Sequence, residues 1–209
     1  MDMQFYGANC IVLSGKHNRL VIDDNLSTLG AKGVGKDGDI FLYTGAHSAV
    51  QQKAKLVIDM PGEYEVSNIS ITGIQTRSHM DGENEKSAVM YKVIWGDTRV
   101  LITGHVYPRL SDDQLETIGI VDTMFVPVGG NGYTLDAIGA LQLVKAIEPK
   151  VVIPTHYDSS NLKYEVPQAA LVDALQSLGM EPKQREAKFQ FKSIETTDTT
   201  QLIVLEESK

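Results

Sequence analysis

The chain has 209 residues, enough for one large domain or two small ones with a real core. Its composition, 42 % hydrophobic and 22 % charged, is that of an ordinary globular protein. A net charge of −8 disfavours general binding to phosphate backbones or anionic membranes. The single cysteine, Cys10, excludes an internal disulfide and cysteine-rich zinc modules, and suits a reducing cytoplasm. The first residues carry an acid and no basic segment, and no long apolar stretch follows, so neither a signal peptide nor a membrane span is expected.

The first half reads as strands. Cys10 to Leu13 and Arg19 to Ile22 are apolar runs separated by the hairpin-like segment Ser14 to Asn18. Leu29 to Asp39, rich in Gly and Lys, reads as a mobile loop. Further strands are expected at Ile40 to Tyr43, Lys55 to Ile58, Pro61 to Val66 and Ile69 to Ile74. A hairpin follows, with arms Ala88 to Trp95 and Val100 to Ile102 and its turn at Gly96-Asp97. The second half changes character. Ser111-Asp112-Asp113-Gln114 has the cap and acids of a helix start. Met124 to Val128 is a buried-type strand. Thr134-Leu135-Asp136 opens a helix with Ala137, Ala140, Leu141, Val144 and Ile147 on one face. Val151 to Ile153 is a strand, Pro167 to Leu178 a helix stopped by Gly179, and Leu202 to Leu205 a last strand. No composition break marks a linker, so residues 1–209 are read as one domain. Hairpins are expected in both halves beside crossovers, which argues for a mixed sheet layered with helices.

Chemistry points to histidines. His47, His105 and His156 each sit in a loop just past the carboxyl end of an expected strand, and His79 follows a strand at a longer interval. Layered α/β proteins bind ligands at that edge, and histidine is both a zinc ligand and an acid–base group near neutral pH. A lone loop histidine is usually only a polar surface residue; the recurrence in equivalent loops raises the four. Gly30-Ala31-Lys32-Gly33-Val34-Gly35-Lys36-Asp37 nearly matches a phosphate loop. It fails because Asp37 replaces the hydroxyl residue and a strand follows where a helix is needed. Asp23-Asp24-Asn25 ends a strand and either touches a metal or caps a turn, the second being the commoner role. Gly62-Glu63-Tyr64 reads as a turn with a packed tyrosine. Gly129-Gly130-Asn131-Gly132 favours positive φ, as an anion-holding nest or a tight turn before a helix. Cys10 reads as buried and inert. No Ser-His-Asp triad can be assigned.

Phe5 to Cys10, Val21-Ile22-Asp23, Pro61 to Val66, Val126 to Gly130, Tyr133 to Ala137 and Pro149 to Tyr157 occur in order. Together they resemble the metallo-beta-lactamase superfamily, in its small single-domain branch of zinc-dependent hydrolases and lactonase-like proteins. The resemblance covers nearly the whole chain. It implies an αββα sandwich with the metal site on one edge. The family's His-x-His-x-Asp-His signature falls on Gly45-Ala46-His47-Ser48-Ala49-Val50, where only the second histidine is present. The next family histidine matches His79, the bridging aspartate falls on His105, and the final histidine matches His156. Gly45, Ala49 and Val50 carry no ligating side-chain atoms, so the two-metal site is incomplete.

Two readings follow. In one, His47, His79, His105 and His156 hold a single zinc or other divalent ion. Asp23 supports them as an outer-shell carboxylate, and metal-bound water hydrolyses a small ester, lactone or phosphoester. In the other, no metal binds and a catalytically inactive pseudoenzyme uses the cleft to bind a small molecule or protein. Both are cytoplasmic, without membrane or nucleic-acid partners, and leave room for a homo-oligomer.

Overall fold

A computed structural model describes all residues except Ile194, Thr196 and Lys209. Two sheets face each other. The first contains β1 (Asp2–Phe5), β2 (Ile11–Ser14), β3 (Arg19–Ile22), β4 (Ile40–Leu42) and β5 (Leu56–Ile58), side by side in that order. Period-two patterning builds its two faces. Met3, Phe5, Ile11, Leu13, Leu20, Ile22, Ile40 and Leu42 point into the main core. Val12, Val21, Phe41 and Tyr43 point outward, beneath loop residues Val34, Val50 and Ala54. Among the described residues, loops rather than an α-helix therefore cover this outer face.

The second sheet contains β6 (Gly62–Val66), β7 (Ile69–Thr76), β8 (Ala88–Trp95), β9 (Thr98–Ile102), β10 (Thr123–Pro127), β11 (Val151–Thr155), β12 (Pro182–Glu186) and β13 (Gln201–Leu205). Its order is β12-β13-β11-β10-β9-β8-β7-β6. The β6 to β9 stretch is antiparallel, and the pairs from β9 to β12 are parallel. Among the described residues, antiparallel strand hairpins thus belong to the first half of the chain, where both halves were expected to contain them. The second half is built from crossovers. Its helices are α1 (Asp112–Ile118), α2 (Ala137–Ile147) and α3 (Leu171–Leu178). α2 rests on β10 between α1 and α3. The result is the metallo-beta-lactamase-type sandwich.

Local chemistry explains the helix ends. Ser111 and Gln114 form a reciprocal capping box at α1. The Asp136 carboxylate accepts from the Gly139 amide at α2, and Gly179 ends α3 at φ 64°. α3 starts four residues later than the sequence suggests. Ala170 is extended (φ −65°, ψ 145°), the Ala169 amide donates to Gly129, and the Ala169 carbonyl accepts from Asp158. These tertiary bonds hold 167–170 straight. Gly62-Glu63-Tyr64 likewise lies in a strand rather than a turn.

The two sheets are tied by polar contacts as well as by packing. The Tyr91 hydroxyl, carried on β8, lies 3.0 Å from the Tyr43 carbonyl and 3.1 Å from the Ile58 carbonyl, both on the opposite sheet. The Val89 amide donates to the Thr44 carbonyl at 2.9 Å. On the second sheet, buried Asp122 accepts from the Arg99 amide and guanidinium and from Lys150.

Candidate functional site

β3, β4 and β5 run parallel, as do β9, β10 and β11, so the carboxyl ends within each set gather on one edge. Residues just beyond those ends line a single cleft of about 560 Å³ between the sheets. Asp23 follows β3; Thr44 and His47 follow β4; His105 follows β9; His156 follows β11. That volume suits a drug-sized ligand.

Asp23 is buried, and its carboxylate accepts from the Thr44 amide at 2.7 Å and the Thr44 hydroxyl at 2.6 Å. Burial lifts its pKa to about 6, partly opposed by those two hydrogen bonds. Its φ of 48° and that of His156, 53°, are left-handed values uncommon outside glycine, though Asp and His adopt them more readily than most, and both sit at the cleft. Asp24 beside it faces the other way. Its carboxylate accepts from the Val34 and Gly35 amides, while Asp39 accepts from the Lys36 amide and Arg19. Three amides of the phosphate-loop look-alike, those of Val34, Gly35 and Lys36, are thus occupied by the protein's own carboxylates. The loop is pinned at these points. The expectation that Asp23-Asp24-Asn25 organises turns agrees with this arrangement.

The four histidines do not converge. His105 and His156 are brought together, with ring centroids 4.7 Å apart and planes at 80°. The Gln168 amide nitrogen donates to Val166 at 2.7 Å, which leaves its Oε1 facing His156 Nδ1 at 3.2 Å. The proton of His156 is thereby placed on Nδ1 and the lone pair on Nε2. Burial pushes His156 down to about 4. It pushes His105 to about 3, helped by the neighbouring His156 and His79, so both rings are neutral at pH 7.

His47 lines the cleft but has both ring nitrogens engaged. Nδ1 donates to the Ser48 carbonyl at 2.7 Å, and Nε2 lies 3.2 Å from the Asp59 carboxylate. Its ring stacks on Tyr43 at 3.8 Å. His79 does not line the cleft; its amide donates to the His105 carbonyl, and its Nδ1 is buried without a partner. Among the described residues, no three His, Cys, Asp or Glu side chains are grouped so as to hold a metal. As arranged, these residues do not fit a two-metal centre or a four-histidine sphere. Cys10 is buried, and burial raises its thiol pKa.

Gln168 and Tyr164 gave no usable signal in the sequence, whereas Asn9, Gly129 and Tyr133 lie in the segments that carry the family resemblance. Gln168 fixes His156 from an extended segment. Tyr133 and Tyr164 place their rings 6.0 Å and 5.2 Å from His156. The Tyr164 hydroxyl accepts from the Ala8 amide and donates to the Tyr157 carbonyl. Asn9 accepts from Thr155, while its Nδ2 is buried without a partner. Gly129 packs against the same group: a Cβ there would meet the His156 carbonyl at 2.1 Å and Gln168 Oε1 at 2.2 Å.

A family model described as the beta-lactamase superfamily domain matches residues 2–156. The chain belongs to the beta-lactamase superfamily. A structure from Thermotoga maritima, described as a Zn-dependent hydrolase of the metallo-beta-lactamase superfamily, superposes with a TM-score of 0.77 at 22 % identity. The match covers 98 % of this chain and 97 % of that one. A metal-dependent hydrolase of Thermoplasma acidophilum is 43 % identical over 52 residues, 23 % of either chain. One from Archaeoglobus fulgidus is 25 % identical over 118 residues, 53 % of this chain and 51 % of its own. The chain spans about half or less of the length of the curated relatives it matches. No helix among the described residues is long and apolar enough to cross a membrane.

Proposed function

We propose that this member of the hydrolase superfamily is a ligand-binding protein. Its cleft takes a small molecule, and its donor set does not build the metal centre that the names of its relatives imply. The observation that carries this reading is the state of His47. It is the one histidine in the stretch matching the family signature, and its two nitrogens are taken by Ser48 and Asp59. A metal at Nε2 would have to displace the Asp59 contact, the Ser48 bond being one that a liganding imidazole keeps, and would have to draw His47 to the His105–His156 pair. A cytoplasmic site of action fits the lone reduced cysteine.

The adjacency of His105 and His156 favours a second reading. Two neutral imidazoles, one with its tautomer fixed by Gln168, are half of a zinc-type donor set. A rearranged His47 or His79 would complete it and restore hydrolysis of a small ester, lactone or phosphoester. Metal analysis separates the two. Untagged protein grown with zinc, manganese or iron is assayed by mass spectrometry beside the four His→Ala variants. Far less than one ion per chain, and a melting temperature unmoved by chelator, is the expected result. Near-stoichiometric metal that disappears in His105→Ala and His156→Ala would overturn the first reading and establish the second.

A further inference from the structure

The charge and ring pattern of the cleft says what kind of small molecule fits it. Two carboxylates, Asp23 and Glu165, line the cleft, and among the described residues no lysine or arginine does. Glu165 is exposed at the rim, without an ion-pair partner among the described residues. An anion entering here would meet like charge and no cation.

Several backbone amides beside the cleft are engaged internally. In the glycine-rich turn before α2, the Gly130 amide donates to Leu135, and those of Tyr133 and Thr134 donate to Gly130. The Gly139 amide of the first turn of α2 is capped by Asp136. Of the anion nest considered from the sequence, the Gly130 amide is therefore spent on an internal bond.

Tyrosine and imidazole rings do line the cleft. His105, His156, Tyr133 and Tyr164 form a connected group with centroid separations of 4.7 to 6.0 Å. Rings clustered beside carboxylates are the arrangement that holds alkylammonium ions, because the ring faces carry negative potential and the charged head needs no dedicated donor. Resting on the ligand-binding reading above, we infer that the cleft is selective for an organic cation, an alkylammonium or comparable amine, held by the Tyr133, Tyr164, His105 and His156 rings with Glu165 at the rim.

The test is calorimetric titration of the whole chain with three probes. These are choline chloride, its uncharged carbon isostere 3,3-dimethyl-1-butanol, and sodium phosphate. Choline is expected to saturate below about 10 mM and to bind roughly tenfold or more tighter than the isostere, with no phosphate binding. Tyr133→Ala and Glu165→Gln, both at exposed positions where folding is safe, should each weaken choline several-fold. Glu63→Gln, on the distant edge strand β6, should leave it unchanged. Equal binding of the isostere, or saturable phosphate binding, would overturn the cation assignment while leaving a ligand-binding cleft. Choline that fails to saturate, or that binds unchanged in both cleft variants, would overturn it too. Stoichiometric metal on His105 and His156 is a separate result, and it defeats the ligand-binding reading instead.

Discussion

Gly129→Ala tests whether the cleft wall is as tightly built as the distances imply. Gly129 is not in the left-handed region, unlike Gly130 (φ 67°) and Gly132 (φ 76°), so its demand is steric rather than conformational. The new methyl would stand 2.1 Å from the His156 carbonyl and 2.2 Å from Gln168 Oε1, roughly 1 Å inside contact. Gln168 could swing away. The His156 carbonyl could not, because the amide of its residue donates a hydrogen bond to the Ala8 carbonyl and the preceding Thr155 carbonyl accepts one from the Val128 amide. Overpacking usually costs about 1–3 kcal/mol, and an immovable backbone obstacle puts this case at about 3 kcal/mol or more. Two other glycines calibrate it. At Gly132 a methyl meets open space, so alanine there costs only the left-handed backbone penalty of about 1–2 kcal/mol. At Gly45 neither penalty applies, and alanine should be neutral or stabilising by about 0.4–1 kcal/mol. Urea unfolding of the three variants, with unchanged slope, measures the series. If Gly129→Ala matched Gly132→Ala, the tight wall around His156 would be refuted.

Three further perturbations probe the frame. Tyr91→Phe removes a buried hydroxyl that bridges the sheets, and should cost about 1–2 kcal/mol in a urea melt with little change in volume. Burial works to raise the Asp122 pKa, but the bonds from Arg99 and Lys150 together outweigh it and hold the carboxyl below its ordinary value. A depressed folded pKa means that its contribution is present above the unfolded value of about 4 and is lost as pH falls through the folded one. Asp122→Asn should therefore cost about 2–3 kcal/mol at pH 7 and progressively less in acid, read from melts across that range; a pH-independent cost would contradict the pairing. Asp24→Ala should speed hydrogen exchange at the Val34 and Gly35 amides by about tenfold or more, since each donates to that carboxylate.

The sheets were legible because alternation is a local property. Ile11, Leu13, Leu20 and Ile22 declare one face of β2 and β3 without any knowledge of their neighbours. β12 was not legible. Its sequence Pro-Lys-Gln-Arg-Glu has no apolar alternation, and it is a strand only because β13 offers it an edge, with a register shift between Pro182 and Gln184. β1 carried the signal in Met3 and Phe5, but its four residues are too few to stand out. The late start of α3 has the opposite cause. Helix propensity around Gln168 is overridden by bonds to Gly129 and His156, which no local pattern records.

At the site, chain position was readable but side-chain direction was not. The parallel strands deliver His47, His105 and His156 to one edge, as their spacing after strands suggested. Whether they meet is decided one backbone angle later. His156 turns at φ 53° and comes to lie against His105. His47 lies on Tyr43 instead and reaches Asp59, a residue with no sequence link to it beyond following the neighbouring strand. The family signature supplies several donors within six residues, so one misdirected ring does little harm. Here Gly45, Ala49 and Val50 leave His47 alone in that stretch, and it is engaged by a stack on Tyr43 and a contact with Asp59. The absence of ligating residues and the engagement of the remaining histidine are thus two observations pointing the same way. The second is the one a metal titration can contradict.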